Sequence, residues 1–503
     1  MKKIILISLA LVSFALNMSA AKVITSEKAK LVGDGKTLNT VVLQATIDKL
    51  SKKGGGTLRF SPGRYLTGGI LLRTGVELYL EKGAVLLGST NPDDYEDLMV
   101  KGTTNKSHND VYSLALITAY QAKDIKLSGE GTIDGQGREV ALNVDSLYLK
   151  GIKKDNTYFT RLHRPREMVR PNLLSIVECE NVNLQGLRFK SSACWGLVFK
   201  KCVNLTITGL DVLDRDYWNN DGIDLVDCQH VVIRDTYVNA ADDGLCLKSD
   251  RAEDANDDIL IENCQVESSA SAIKFGTASA GGFRNITIRN IKVKDTFRSA
   301  IAIESVDGAY CKNILIENIE AKNTGNPIFL RLSGMRWGKR YGTMEDVVIR
   351  NVTCEVPFER PDVGYDMRGP IENTMVNPMP SSITGVAEAK VKNVLIENVT
   401  LTYPGQASKG IRYIPLWNIK TIPEEKKSYP EFDMFGELPA YGFYLRHVDG
   451  VTFRNVTFKL NGEEFRPAFV LDDAANVKFE NITYPKGYEH NQIYQAPEEE
   501  ASK

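Results

Sequence analysis

The feature that most constrains the fold of this sequence is a short pattern that recurs along most of the chain. It is a polar residue or glycine, then an apolar, a variable and a second apolar residue, at 124–127, 181–184, 204–207, 230–233, 258–261, 285–288, 313–316, 346–349, 393–396, 450–453 and 476–479. Alternating apolar positions are typical of half-buried strands. From Val182 to Ile314 the copies are 23, 26, 28, 27 and 28 residues apart. A near-constant period in the twenties is typical of a solenoid.

Two kinds of solenoid have periods in this range. Leucine-rich repeats need a dense leucine consensus, with a helix or extended arc in each repeat. Here β-branched residues dominate the pattern, and Gly, Asn and Asp interrupt it. We therefore predict an all-β chain that forms a single-stranded right-handed parallel β-helix, whose coils stack about 4.8 Å apart.

Cysteine spacing supports this register. Cys179, Cys202, Cys228 and Cys311 each lie three residues before the first apolar residue of their pattern. We expect the first three to stack in consecutive coils as buried thiols. A disulfide between neighbouring coils is also geometrically feasible.

The ends and gaps of the repeat define the domain. The segment 37–53 reads as an amphipathic helix with Leu43, Ile47 and Leu50 on one face and with Leu38 and Val42 on or near it, so we predict an N-terminal capping helix. The period breaks near 135–172, 356–391 and 403–443, where we predict loop insertions on a binding face. Residues 22–503 are then one β-helix domain. The basic residues of the first insertion form either a solvated charge run or a wall for an anionic sugar chain.

The first residues resemble an export signal. Lys2 and Lys3 precede an apolar run at 4–16, and 19–21 are small residues suited to cleavage. We predict a signal peptide at 1–21 and a secreted or periplasmic protein. The net charge of −2 gives no general attraction to nucleic acid, and no later apolar run is long enough to span a membrane. We expect a monomer.

A second register brings carboxylates together. Segments beginning at 195, 221, 243, 271, 299 and 326 carry apolar residues at their third and fifth positions, with steps of 26, 22, 28, 28 and 27 residues. Asp221 and Asp243 then occupy the same place in adjacent coils, and Asp242 adjoins Asp243. Close like charges repel, so structure alone rarely requires such a cluster. Calcium binding and acid–base catalysis both remain open at this point.

The same alignment predicts the residues around the carboxylates. Side chains alternate across a strand, so Asp224 and Lys274 share one outward ridge, while Lys248, Glu304 and Arg331 share the next. Cations beside carboxylates suit an acidic sugar, and Arg298 adds to them. Trp195 lies one coil before Asp221, where it either packs or stacks on a sugar. The histidines show no metal-ligand spacing, and the sequence indicates neither a metal site nor a required cofactor.

At these positions the sequence resembles glycoside hydrolase family 28, the polygalacturonase family. The segment Asn219-Asn220-Asp221-Gly222 resembles the family's Asn-Thr-Asp-Gly motif, and 241–244 resembles its Asp-Asp motif. The resemblance spans roughly 22–485. It implies inverting hydrolysis of α-galacturonosidic bonds in pectin, with Asp242 as general acid and with Asp221 and Asp243 holding and deprotonating the water. Inversion leads us to expect carboxyl groups about 6.5–9.5 Å apart. Asn219 joins the predicted substrate-binding residues.

Two departures from the family pattern bear on specificity. The histidine of the family's Gly-His-Gly segment is replaced by Ser271. Its Arg-Ile-Lys segment, which binds a galacturonate carboxylate on the leaving-group side, reads Ala302-Ile303-Glu304 here. Rhamnogalacturonan-acting members also lack both segments, but they usually replace the second Asp of the pair with Glu, whereas this chain keeps Asp243. We therefore predict an exo-acting galacturonidase on rhamnogalacturonan-type chains, with the exo mode inferred from the insertions.

Three alternatives stay open. The first is a polygalacturonase acting on homogalacturonan, with other cations replacing the missing segment. The second is a β-helix polysaccharide lyase, which uses Ca²⁺ held by aspartates and a basic residue. The third is a non-catalytic glycan-binding β-helix, which would not need three converging carboxylates.

Overall fold

The computed structural model describes residues 22–99, 113–334, 336, 338–365, 379–405, 416–487 and 491–497. The predicted signal peptide at 1–21 lies outside them. Within the described ranges, none of the helices has the length and apolar character needed to cross a bilayer.

Strands dominate the chain and two α-helices interrupt them. The helices are α1 (Thr40–Lys52) and α2 (Gly137–Leu149). The strands of the N-terminal coils and the first insertion are β1 Val23–Thr25, β2 Gly56–Phe60, β3 Gly63–Thr67, β4 Ile70–Leu72, β5 Val76–Leu80, β6 Ala84–Gly88, β7 Ala115–Tyr120, β8 Lys123–Gly129, β9 Thr132–Asp134, β10 Thr160–Arg161 and β11 Arg164–Pro165. Those of the central coils are β12 Asn172–Val177, β13 Glu180–Gln185, β14 Arg188–Lys190, β15 Leu197–Lys200, β16 Val203–Thr208, β17 Asp211–Asp214, β18 Ile223–Val226, β19 Gln229–Arg234, β20 Tyr237–Ala240, β21 Leu245–Ser249, β22 Asn256–Ser268 and β23 Ile273–Ser279. The last coils contain β24 Gly282–Ser305, β25 Tyr310–Leu332, β26 Thr343–Glu355, β27 Ser381–Thr384, β28 Val391–Tyr403, β29 Phe443–Leu460, β30 Phe469–Ala475, β31 Lys478–Thr483 and β32 Ile493–Gln495.

Every coil pairs in parallel with the next one, as the repeat predicts. Val182 of β13 pairs with Ile125 of β8 and with Leu205 of β16, and the same register runs on through Val231, Ile259, Ile286, Ile314, Val347, Val394 and Val451. The apolar residues of these strands form one continuous core along the axis. The predicted parallel β-helix is confirmed.

The polar residue of each pattern turns the chain at a corner. Asn181 and Asn204 have φ angles of 58° and 59°, a left-handed conformation that Asn and Asp tolerate better than other residues. Their amides also bond between coils, since Asn204 Nδ2 donates to Asn181 Oδ1 at 3.1 Å. A second such ladder, at the next corner, joins Asp235, Asn263, Asn290, Asn318, Asn351, Asn398, Asn455 and Asn481.

The cysteines and the cap agree with their predicted places. All eight cysteines are free and buried. Leu43, Ile47 and Leu50 of α1 are fully buried over the first coils, but Leu38 and Val42 are exposed, so the apolar face is narrower than predicted.

The insertions pack on the side of the β-helix that carries Asp221, Asp242 and Asp243. The first contains α2 and the antiparallel hairpin β10–β11. The second is shorter than predicted, because Ser382 of β27 pairs with Phe329 and returns the chain to the coil at 381. That strand carries a single apolar residue, Ile383, so the alternating pattern could not reveal it. In the third, Phe432, Phe435 and Leu438 pack against Phe297 and Phe329.

Candidate active site

The second register is observed as predicted. Leu197, Ile223, Leu245 and Ile273 pair in successive coils. Gly222 N donates to the Asp243 carbonyl at 2.9 Å, which places Asp221 directly beside Asp243. A Cβ at Gly222 would lie 2.3 Å from Val238 Cγ1 and 2.6 Å from the Gly244 carbonyl. The glycine after each aspartate therefore permits the close stacking of these two turns.

The three predicted carboxylates meet at one point. One oxygen each from Asp221, Asp242 and Asp243 lies within 4.8 Å of the others. Asp243 N donates to Asp242 Oδ1 at 3.0 Å, and Ser271 N donates to Asp243 Oδ1 at 3.1 Å. Ser271, at the predicted place of the family's histidine, thus orients Asp243 through its backbone.

A buried lysine neutralises one side of this cluster. Lys248 Nζ lies 2.9 Å from Asp221 Oδ2, and it also bonds to Asp224. The same ammonium lies 4.0 Å from the centre of the Trp195 ring. Trp195 is mostly buried, in contact with Val198 and Cys194. These contacts make Lys248 the cation of the Asp221 side.

Burial controls the protonation of the cluster. It raises the pKa of Asp242, and the neighbouring Asp243 carboxylate raises it further against the opposing effect of nearby cations. Burial also raises the pKa of Asp221 well above its usual range, although Lys248 favours the ionised form. Since close negative charges disfavour joint ionisation, Asp221 and Asp242 hold their protons more tightly than isolated aspartates do.

The other side of the cluster is a compact group of opposite charges. Lys274 Nζ, which is fully buried, lies 3.4 Å from Asp243 Oδ2, 3.7 Å from Glu304 Oε2 and 3.6 Å from Glu431 Oε1. Arg298 Nη1 lies 2.5 Å from the same Glu431 oxygen. Burial raises the pKa of Glu304 to about 8 and that of Glu431 to about 7, against the opposing cations. Each predicted cation here already faces a carboxylate.

Sequence reasoning missed two residues of this group, Glu431 and Tyr429. Both come from the third insertion, and the exposed Tyr429 ring centre lies 5.4 Å from Lys274 Nζ. That insertion lacks the repeat pattern, so its sequence does not show which residues of the coils it contacts. Its aromatic residues, such as Phe432 and Phe435, are the signal in the sequence that this insertion packs on the coils.

Two other predicted substrate-binding residues hold insertions in place. Arg331 is 1% exposed, and its guanidinium donates to the carbonyls of Gly385 at 3.0 Å and Glu424 at 2.5 Å. Asn219 Oδ1 accepts from Arg164 and from Arg170, both at 2.7 Å. Substrate contacts for Arg331 and Asn219 stay predictions.

A buried polar group supports the turn that carries Asp221. Asn220 is fully buried, and its amide donates to the Ser192 and Cys194 carbonyls at 2.9 and 2.8 Å. Asp214 accepts from Ser192 N at 2.7 Å and from Ser192 Oγ at 2.6 Å, and burial raises the pKa of Asp214 to about 8.

Comparisons with known proteins identify the family of the chain. The sequence profile described as glycosyl hydrolases family 28 matches residues 80–422. A probable polygalacturonase of Vitis vinifera is 25% identical over 333 residues, which cover 64% of this chain but only 59% of that relative. An endo-polygalacturonase of Pectobacterium parmentieri is 25% identical over 353 residues, which cover 68% of this chain and 84% of that protein.

Solved structures agree in fold. The family 28 exopolygalacturonase of Yersinia enterocolitica has a TM-score of 0.64 at 20% identity, covering 91% of this chain and 78% of its own. The exopolygalacturonase of Thermotoga maritima has a TM-score of 0.61 at 18% identity, covering 88% of this chain and 93% of its own.

The family profile matches well over half of this chain, so the chain belongs to glycosyl hydrolases family 28. This result confirms the predicted resemblance and the prediction of a glycoside hydrolase.

Proposed function

We propose that the protein is an inverting, exo-acting hydrolase that releases galacturonate from rhamnogalacturonan-type pectic chains. The observation that carries this proposal is the meeting of three carboxylates within 4.8 Å on adjacent coils. Relatives support a galacturonosidic bond, since their names include endo-polygalacturonase and, in Dickeya chrysanthemi, exo-poly-alpha-D-galacturonosidase.

The proposed chemistry divides the cluster between two tasks. Asp242 gives its proton to the glycosidic oxygen as the bond to the sugar breaks, a role that the raised pKa of its carboxyl favours. Asp221 and Asp243 hold a water on the other side of the sugar and accept its proton as it attacks. Lys248 supports this role because its ammonium stabilises the ionised form of Asp221.

The short separation of the oxygens bears on stereochemistry. Carboxyl groups of inverting enzymes are usually about 6.5–9.5 Å apart, and those of retaining enzymes about 5–5.5 Å apart. The 4.8 Å limit here refers to selected single oxygens rather than to whole carboxyl groups. Inversion is proposed from the two family motifs, and the anomer released first provides its test.

The charges around Lys274 support a neutral sugar on the leaving-group side. Two cations, Lys274 and Arg298, face the carboxylates of Asp243, Glu304 and Glu431 there. A galacturonate carboxylate at this place would have to compete with the side chains of Asp243, Glu304 and Glu431 for the same two cations. Rhamnose carries no charge and avoids this cost.

The insertions support exo action. The first reaches the Asp221 side through Arg164 and Arg170, and the third reaches the Lys274 side through Glu431. A cleft bordered at both ends suits a chain terminus better than the middle of a long polymer. We also propose that the protein is exported by the 1–21 segment and acts as a monomer.

Product analysis on two substrates tests the proposal. Rhamnogalacturonan and homogalacturonan oligosaccharides are incubated side by side with the protein and with the Asp242→Asn variant. We expect free galacturonic acid from rhamnogalacturonan alone, and none from the variant. Asp124→Asn is a matched control, because Asp124 occupies a corner position where asparagine is used in later coils.

The alternatives give different products. Efficient release from homogalacturonan would indicate a polygalacturonase, with Lys248, Lys274 or Arg331 binding the second uronate. A lyase would produce an unsaturated sugar that absorbs in the ultraviolet and would lose activity in a chelator. Binding without any product, unchanged in Asp242→Asn, would indicate a glycan-binding β-helix. Internally cut oligomers as the main product would exclude exo action.

A further inference from the structure

The first insertion forms a pocket that the proposed chemistry does not use. Its volume is about 510 Å³, within the range of small-molecule sites. Its walls combine aromatic and aliphatic side chains with three arginines and one carboxylate. The lining residues are Phe159, Trp218, Leu162, Pro165, Arg161, Arg164, Arg166 and Glu167.

The hairpin β10–β11 that borders the pocket is held firmly. His163 Nδ1 lies 2.8 Å from Asp145 Oδ2 of α2, and the Tyr217 hydroxyl donates to the His163 carbonyl. Leu162, at the tip of the hairpin, has a φ of 53° and is 84% exposed. A bulky residue is uncommon in this conformation, so the contacts of His163 keep an apolar side chain in solvent beside the pocket.

The arginines of the pocket are not equivalent. Arg164 forms an ion pair with Glu167 at 3.1 Å, and its guanidinium lies 5.3 Å from the Trp218 ring centre. Arg166 lies 6.0 Å from the Phe159 ring centre. Within the described ranges, neither Arg161 nor Arg166 forms an ion pair with a carboxylate. The exposed rim of the pocket therefore offers two guanidinium groups to an anion.

The pocket adjoins the Asp221 side of the cleft. Trp218 lines it and lies three residues before Asp221 in the sequence. Asn219 accepts from Arg164 of the hairpin, which joins the pocket wall to the turn that carries Asp221. The first insertion thus carries the pocket at the border of the cleft on this side.

We infer that this pocket is a second sugar-binding site, which takes a galacturonate residue of the pectic chain. The apolar face of the sugar ring packs on Trp218 and Leu162, and its carboxylate pairs with Arg161 and Arg166. Arginine suits this task, since its planar guanidinium binds a carboxylate through paired hydrogen bonds. The choice of galacturonate rests on the proposed function, whereas an acidic sugar as ligand rests on the pocket itself.

The test is a titration of the full chain with trigalacturonate and with its carboxyl-reduced, neutral form. Asp242→Asn serves as background, so that no turnover occurs, and binding is measured by calorimetry. We expect Arg161→Gln with Arg166→Gln to weaken the binding of trigalacturonate at least tenfold. Lys154→Gln, which removes an exposed cation of the same insertion outside the pocket, is expected to leave the affinity unchanged. The neutral form is expected to bind at least tenfold more weakly than trigalacturonate.

Tryptophan fluorescence locates the ligand. Trp218 lines the pocket and Trp195 lies in the cleft. We expect Trp218→Phe to abolish the ligand-induced change in emission, and Trp195→Phe to retain it. Unchanged affinity after the double arginine substitution, equal binding of the neutral form, or a signal that survives Trp218→Phe would each overturn the inference. A failed proposed function is recognised separately, as absence of hydrolysis by the unsubstituted protein while the pocket still binds.

Discussion

The Lys248 ammonium lies 2.9 Å from Asp221 Oδ2 while both side chains are buried, so the charge of the lysine stabilises the ionised aspartate. The proposed base must be ionised to accept a proton from water. Lys248→Met removes the stabilising charge and raises the pKa of Asp221. We therefore expect the acidic limb of the profile of kcat/KM against pH to move upward by roughly 1–3 pH units.

The control for this prediction is Lys200→Met. Lys200 is also buried, and its ammonium pairs with the carboxylate of Asp250 at 2.9 Å. Its loss costs stability of the same kind without changing the charge beside Asp221. An acidic limb that stays in place in a folded Lys248→Met variant would show that Asp221 is not the group that must ionise.

Glu431 is predicted to restrict the sugar on the leaving-group side. Its carboxylate faces both Arg298 and Lys274. Above pH 7, where the Glu431 carboxyl is largely ionised, Glu431→Gln removes a negative charge and leaves these cations more available to a uronate. We expect the ratio of kcat/KM on homogalacturonan to kcat/KM on rhamnogalacturonan oligosaccharides to rise about tenfold, which corresponds to about 1.4 kcal/mol. Glu437→Gln, on the exposed part of the same insertion, should leave the ratio unchanged. An equal ratio in all three proteins would assign Glu431 a purely structural role.

The carboxylate cluster could be predicted because it depends on repeated local geometry. Period-two alternation fixes which residues point outward, and the constant coil length fixes which residues are neighbours. The repeat alone therefore predicts that Asp221 and Asp243 occupy adjacent positions. Lys274 was placed in the same way, on the ridge that also carries Asp224.

The partners supplied by the insertions could not be predicted in this way. Glu431 reaches Lys274 because Phe432 and Phe435 pack on Phe297 and Phe329, and such contacts leave no periodic trace in the sequence. Arg331 illustrates the same limit. The repeat predicts the outward ridge that carries Arg331, but the third insertion covers this side chain and accepts its hydrogen bonds.

The anomer released first distinguishes the two possible stereochemical outcomes. An α-galacturonosidic bond cleaved with inversion gives the β-anomer, whereas a covalent intermediate gives the α-anomer. We expect proton NMR spectra, recorded before mutarotation, to show the β-anomer. An initial α-anomer would mean that one of the three aspartates attacks the sugar directly.

Asp214 predicts how stability depends on pH. Burial raises its pKa in the folded protein to about 8, whereas an aspartate in the unfolded chain has a pKa of about 3.9. The folded state thus keeps a proton that the unfolded state releases, so this carboxyl contributes stability that is lost as pH rises from about 4 to about 8.

The variant Asp214→Asn tests this dependence because it places a permanently neutral group at the site. The amide of the new side chain can donate to Ser192 Oγ while that hydroxyl donates to the Cys194 carbonyl. We expect urea unfolding at pH 5, 6, 7 and 8 to show a smaller loss of unfolding free energy with pH in this variant. The slope of the unfolding free energy against pH should differ between this variant and the parent by up to about 1.4 kcal/mol per pH unit. The control Asp346→Asn changes an aspartate at an exposed corner and should behave like the parent. Equal slopes in both variants would mean that Asp214 is ionised in the folded protein.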